Sequence, residues 1–259
     1  MPRLIRLFAL GAYAAMLAAS IWFVAFVLDL GPGKTVNRGA GFGAGVWGNG
    51  LLVLLFCSHH SLLARASVKR WLVHWLPAAA ERSVYVAFAS GWLLLLMAAW
   101  TPLPTVVLQV DGSVARTLVL ALNGLGWLIV IGSTFQIDHG ALFGLRQAWG
   151  KAAGGSLRTP WMYRWVRHPM MFGFLVVLWI QPALTVGQLQ LAGLLTLYIV
   201  VGSRLEERDL LRAFGDAYRR YRREVPALMP HRAPHWPAKT VPRPTATSGP
   251  NPTPRHRRT

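Results

Sequence analysis

The sequence predicts an all-α, polytopic membrane helical bundle. It has four spans followed by a C-terminal transmembrane helical hairpin, so five to six helices lie in the bilayer. Three observations carry this expectation. Of 259 residues, 54% are hydrophobic and only 14% charged, against roughly 25% charged in a soluble domain. The apolar residues are also bunched. No charged side chain falls between Arg6 and Asp29, Arg38 and Arg65, Arg82 and Asp111, or Arg116 and Asp138, and a further uncharged stretch covers 169–203. Runs of about 18 or more apolar residues suffice to cross a hydrocarbon core. Finally, Lys and Arg collect in alternate connecting segments, as they do where loops stay on the cytoplasmic side of a membrane.

The four spans are expected near 7–28, 47–63, 83–100 and 117–135. The first exceeds the 7–15-residue core of a signal peptide and no clean small-residue cleavage site follows it, so it is read as a retained helix. The stretch 169–203 is too long for one span, since its 35 residues would make a helix of about 52 Å for a core of about 30 Å. It is too short for two full spans with a turn. Gln181-Pro182 and Gly187-Gln188 break it near the middle. A hairpin follows, with a short first arm near 170–180 that need not cross completely and a longer second arm near 185–203.

Segments 65–82 and 146–167 are rich in Lys and Arg, whereas 101–115 and the hairpin tip have none. The positive-inside rule puts the two basic segments and both termini in the cytoplasm of a bacterial-type inner membrane. Lys34 and Arg38, in the first connection, run against this pattern. The net charge of +18 does not indicate nucleic-acid binding, because the cations sit at membrane edges next to anionic lipid rather than in a separate basic patch. The lone cysteine, Cys57, removes disulfide and Cys-based metal chemistry from consideration, and no metal site is expected. Residues 1–230 form the expected membrane domain. Residues 231–259 are Pro-rich and basic, with little to bury, and are expected to be a disordered tail whose removal leaves the chemistry intact.

Ionisable and polar groups at membrane depth are costly and mark function by default. With the orientation above, His59 and His60, Asp138 and His139, Arg167-His168-Pro169, and Glu206-Glu207-Arg208-Asp209 all come to the cytoplasmic end. Anchoring explains the arginines but not the histidines or the acidic pair, so a shared site facing the cytoplasm is expected. His59 and His60 are adjacent and point about 100° apart on a helix, so they do not form an i, i+4 metal pair. The Gly43-Ala44-Gly45-Val46-Trp47-Gly48 run matches a dinucleotide fingerprint only in spelling, since no strand precedes it. His74, between Trp71 and Trp75, fits an interfacial position.

Arg167-His168-Pro169-Met170-Met171-Phe172-Gly173 resembles the R-H-P-x-Y-x-G opening of the isoprenylcysteine carboxyl methyltransferase superfamily, with Met171 departing from the usual Tyr. Glu206-Glu207-Arg208-Asp209-Leu210, then Phe214-Gly215-Asp216-Ala217-Tyr218 and Tyr221, resembles its E-E-x-x-L…F-G-x-x-Y-x-x-Y signature, completed by Val225, Pro226 and Pro230. Within that superfamily the segments His60 to Arg65, Glu81 to Val86 and Thr134 to Gln147 are similar to the methanethiol S-methyltransferases. The resemblance covers roughly residues 4–230. It implies transfer of a methyl group from S-adenosyl-L-methionine to a small volatile thiol, with membrane lipid as surroundings.

Such a transfer needs a thiolate-like nucleophile. Alkyl thiols have pKa values near or above about 8.5, so a neutral histidine is a suitable base. His60 and His139, the latter beside Asp138, are the catalytic candidates, with a polar anchor at a helix end as the alternative for each. For the donor, carboxylates suit the ribose hydroxyls and amino group, and Glu206 and Glu207 are placed to supply them. An arginine suits its carboxylate, from Arg167, Arg204 or Arg208. The resemblance implies that His168 and Pro169 shape the pocket through their backbone and that Tyr218 and Tyr221 help close it. The same hairpin would also suit an isoprenylcysteine or phospholipid acceptor, an NADPH-dependent membrane reductase, or a non-enzymatic relative tied to nitrogen-oxide metabolism.

Overall fold

The computed structural model describes residues 2–41, 43–151, 156–231 and 236–242. Its long helices are α1 (Pro2–Val27), α2 (Gly45–Ala64), α4 (Ala78–Ala99), α5 (Ser113–Ile137) and α9 (Val186–Phe214), and these five are long and apolar enough to cross a membrane. The shorter elements are α3 (Ala66–Trp75), α6 (His139–Leu142), α7 (Leu145–Ala148), α8 (Pro169–Trp179) and α10 (Asp216–Glu224). Two small antiparallel sheets join β1 (Val106–Gln109) to β3 (Ala183–Thr185) and β2 (Ser156–Arg158) to β4 (Thr240–Pro242). The protein is a polytopic helical membrane bundle, and the span positions follow the uncharged runs.

Lipid offers no hydrophobic gain for pressing one apolar helix on another, so close approach through small residues does much of the packing. On α1, Ala9, Ala12 and Ala19 are buried, and α1 packs along α4. The α5–α8 contact is tighter. A β-carbon on Gly173 would lie 2.8 Å from the Gly126 carbonyl oxygen and 3.0 Å from the Val130 nitrogen. The glycine of the R-H-P-x-x-x-G run is therefore a backbone contact between two helices.

The hairpin differs from expectation in an instructive way. α8 covers 11 residues, about 16 Å of rise, and the chain then continues extended to β3. The register Leu108↔Leu184 and Gln109↔Ala183, with Val186 N–H donating to the Thr105 carbonyl at 2.9 Å, stitches the hairpin tip to the α4–α5 connection. The first arm thus reaches the far end, partly without helix. Non-helical backbone at membrane depth must find partners inside the protein. Asn123, fully buried, supplies them by donating to the Val177 and Ile180 carbonyls at 3.0 and 2.8 Å. α9 then starts with a capping box between Thr185 and Gln188.

Two further differences have plain causes. The basic segment 65–82 contains α3, with exposed Trp71 and Trp75 beside Lys69 and Arg70, a pattern suited to lying along a membrane surface rather than crossing it. In the first connection, Arg38 is paired with Asp29 at 3.1 Å, so one of the two cations that ran against the positive-inside pattern is neutralised locally. Burial works against the Asp29 carboxylate, but hydrogen bonds from Thr35 and Arg38 outweigh it and hold its pKa below the usual value. Of the tail expected to be disordered, residues 232–235 and 243–259 lie outside the described residues. Residues 236–242 do not conform, because β4 pairs with β2 and Trp236 packs on Tyr221 with ring centroids 5.4 Å apart.

Candidate functional site

The end opposite the β1–β3 sheet gathers the start of α8, the last turns of α9 and the folded-back α10. Arg167 and His168 are anchored first through their backbone: their N–H groups donate to the Pro226 and Ala227 carbonyls at 2.9 and 3.1 Å. Pro169 then opens α8 as its first residue, where the missing N–H costs nothing. α9 ends at Gly215, whose φ of +52° lies in the left-handed region that favours glycine, and the chain reverses into α10. The reversal brings Tyr218 and Tyr221, 1% and 2% exposed, over the Arg167-His168 turn.

The two adjacent glutamates then part company. The Arg167 side chain is 8% and the Glu207 side chain 13% exposed, and they pair at 2.6 Å. The remaining Arg167 nitrogen donates to the Arg222 and Val225 carbonyls, so this arginine is wholly committed to tying α8, α9 and α10 together. Glu206 is 55% exposed, and the one basic side chain close to it among the described residues is the His168 imidazole, at 3.5 Å. His168 also touches Glu207, at 3.3 Å.

Between these elements lies a cavity of about 280 Å³, whose wall includes Arg167, His168, Glu206, Tyr218 and Tyr221. The Tyr221 hydroxyl donates to the Tyr163 carbonyl at 2.6 Å. The Tyr218 hydroxyl is buried and has no protein partner among the described residues. Burial, and then the nearby Glu207 carboxylate, push the Tyr218 hydroxyl well above the usual tyrosine value despite Arg167. It therefore remains a proton donor across the physiological range. A buried donor without a partner carries a desolvation cost, and here it faces a cavity, as expected of a ligand-binding group.

Of the residues expected to bind the donor, Pro169, Glu207 and Arg208 are not part of the cavity wall, and Arg208 is exposed on α9. The three catalytic candidates also stand outside the wall: His139 is one contact behind it through Thr134, and His60 lies deeper, linked to Leu142 only through Tyr85 and Arg82. His139 has both ring nitrogens engaged, within 2.8 Å of the Tyr13 and Thr134 hydroxyls, and stacks on Phe135 with centroids 4.2 Å apart. Because Thr134 donates its proton to the Ile131 carbonyl, its oxygen accepts from Nδ1–H, and Nε2 accepts from Tyr13. Burial also lowers the His139 pKa. Asp138 caps α6 by accepting from Ala141 N–H at 3.0 Å and pairs with Arg146. These contacts join α1, α5, α6 and α7, and Thr134 itself is part of the cavity wall.

His60 is less encumbered. Its one side-chain hydrogen-bond partner among the described residues is the Tyr85 hydroxyl, 2.8 Å from Nε2. Phe56, Tyr85 and Tyr198 surround its ring, with centroids between 5.2 and 6.2 Å. The Arg82 guanidinium lies 4.6 Å over the Tyr85 ring and donates to the Leu142 carbonyl at 2.7 Å, and Leu142 lines the cavity. The sequence pointed to His60 but not to its aromatic surroundings, nor to Tyr163 and Arg158 in the cavity wall. Those two belong to no recognisable motif and reach the site only through tertiary structure.

No protein-family model matches the sequence, and no solved structure matches it. Named relatives do. Methanethiol S-methyltransferase 2 of Bradyrhizobium diazoefficiens is 43% identical over 87% of this chain and 90% of its own. The methanethiol S-methyltransferase of Mycobacterium tuberculosis is 43% identical over 87% of this chain and 93% of its own. Nurim of Bos taurus matches at 34% over 64% of this chain and 67% of its own. The matched region takes in most of the chain, and at such identity the chain belongs to the methanethiol S-methyltransferase family.

Proposed function

We propose that the protein transfers the methyl group of S-adenosyl-L-methionine to methanethiol, giving dimethyl sulfide and S-adenosylhomocysteine, from a site facing the cytoplasm of a bacterial-type inner membrane. The observation that carries this is the cavity under α10, whose wall holds both a solvent-reaching carboxylate, Glu206, and a buried Tyr218 hydroxyl with no hydrogen-bond partner among the described residues. That donor and acceptor set suits the amino, ribose and adenine groups of the methyl donor. At about 280 Å³, the space is close to the lower end of small-ligand pockets, about 300 Å³.

When bound, the donor would supply a sulfonium-activated methyl group, whose carbon bonds to the acceptor sulfur as its bond to the donor sulfur breaks, leaving the donor sulfur neutral. Glu206 accepts hydrogen bonds from the donor's cationic or hydroxyl groups, and Tyr218 donates one. Arg167 and Glu207 do not touch the ligand; they hold α8 against α9 and α10, so that the His168-Pro169 backbone keeps its place. His60 takes the thiol proton. In the tautomer whose Nε2–H donates to the Tyr85 oxygen at 2.8 Å, Nδ1, 3.4 Å from the same oxygen, is the proton acceptor, and the ring of aromatics around it offers a small sulfur compound favourable contacts. His139 and Asp138 position α6 and the Thr134 wall. The apolar acceptor partitions into the bilayer and reaches the site from there.

Membranes containing the protein, given S-adenosylmethionine and methanethiol, are expected to release dimethyl sulfide into the headspace. Bound donor without product would move the acceptor to another thiol or a lipid. Absence of both binding and product would sink the methyltransferase assignment.

A further inference from the structure

The geometry points to Arg158 as the residue that receives the carboxylate of the bound donor, held in position by the chain segment 236–242. The inference rests on the donor reading above. The amino-acid end of S-adenosylmethionine carries a carboxylate, and a carboxylate in such a cavity needs a cationic partner. Two cationic side chains occur in the cavity wall among the described residues, Arg158 and Arg167. Arg167 is spent on Glu207 and on the Arg222 and Val225 carbonyls. Arg158 uses Nη1 on the Ile137 carbonyl, at 2.9 Å. Its Nε and Nη2 make no hydrogen bond among the described residues, leaving one edge of the fork for a ligand.

What places Arg158 there is the segment read from sequence as a dispensable tail. β4 runs antiparallel to β2 in the register Ser156↔Pro242, Leu157↔Val241 and Arg158↔Thr240. Thr159, 2% exposed, is the hub. Its N–H donates to the Lys239 carbonyl at 2.9 Å, and its hydroxyl oxygen accepts from Trp236 Nε1 at 3.2 Å and Lys239 N–H at 3.1 Å. Arg164 donates to the Trp236 carbonyl at 2.7 Å. Leu157, Tyr218, Tyr221 and Val225 form one buried cluster against which Trp236 and Val241 pack. The strap therefore locks the Ser156–Arg158 edge onto the same tyrosines that cover the cavity. Trp236 and Thr159 are positioning residues, while Arg158 touches the ligand.

The test uses the full-length protein in nanodiscs and two probes, S-adenosylhomocysteine and S-adenosyl-3-thiopropylamine, the same molecule without its carboxylate. Arg158→Gln should weaken S-adenosylhomocysteine binding about tenfold, as for one lost charge-assisted hydrogen bond at a partly screened rim, and change the affinity for the amine probe less than about twofold. Arg158→Lys should recover part of the loss. Trp236→Ala should reproduce the carboxylate-selective loss in weaker form, with the KM for the thiol unchanged. Equal losses for both probes, or none, in an Arg158→Gln protein that unfolds at the wild-type temperature overturn the inference alone. A wild type that binds neither probe overturns the donor reading and this inference with it.

Discussion

Glu206 and Glu207 are neighbours in sequence, yet their substitutions should fail in opposite ways. Glu207→Gln removes the counter-charge of an Arg167 side chain that is only 8% exposed. Breaking one partner of a buried pair costs about 3–5 kcal/mol, because the remaining charge is left uncompensated. At about 2–4 °C per kcal/mol for a chain of this size, the unfolding midpoint should fall by about 6–20 °C. Glu206 is 55% exposed, so Glu206→Gln should change stability by less than about 0.5 kcal/mol. Its cost should appear instead in the donor, as a KM about ten- to a hundredfold higher, corresponding to about 1.5–3 kcal/mol for a charged hydrogen bond. The assay pairs thermal unfolding in detergent with S-adenosylhomocysteine titration. A Glu206→Gln protein that melts like Glu207→Gln, or a Glu207→Gln protein of wild-type stability with weakened donor binding, would refute the division of roles.

Three other substitutions test separate parts of the structure. Gly173→Ala places a methyl group 2.8 Å from a backbone oxygen on α5 and should destabilise the bundle by about 1–3 kcal/mol, read as a lowered unfolding midpoint; a neutral result would mean that the α5–α8 crossing is looser than described. His60→Ala should lower kcat by about 10²–10⁴ with donor binding kept, as for loss of a general base, whereas His139→Ala should mainly cost stability, about 1–3 kcal/mol; stopped-flow turnover beside thermal unfolding separates the two. Asp29 has a depressed pKa in the folded protein, so its contribution is present above the unfolded value of about 3.9 and is lost as pH falls through the lower, folded value. Because the pair is partly exposed, it amounts to less than about 1 kcal/mol, and the stability gap between wild type and Asp29→Asn should close below about pH 4.

The spans were legible because lipid imposes a single solution on a chain, a continuous apolar helix, and that solution is written as uncharged length. The hairpin was legible as a break but not as a path, since the extended stretch at 180–185 depends on Asn123 from α5 for its hydrogen bonds. Arg167 and Glu207 were found through a motif, yet their commitment to each other is a fact of α10 folding back. His60 and His139 look alike in sequence. Only the Tyr13 and Thr134 hydroxyls, distant or on a different turn, decide that one ring is saturated and the other is not. The strap at 236–242 was hidden by its own composition, because its order comes from Thr159 and the tyrosine cluster rather than from any periodicity of its own.

α9 is one unbroken helix of 29 residues. Its uncharged part ends at Ser203, and 204–214 continue for about 16 Å beyond it. In the proposed reaction this single rod serves two solvents. Tyr198, beside His60, sits where the volatile acceptor dissolves, and Glu206, two turns on, sits where the charged donor dissolves. The two reactants therefore follow different concentration scales. Donor saturation depends on moles per litre of water, while acceptor saturation depends on moles per litre of lipid. Adding empty vesicles to a fixed amount of enzyme and methanethiol would dilute one reactant and leave the other untouched.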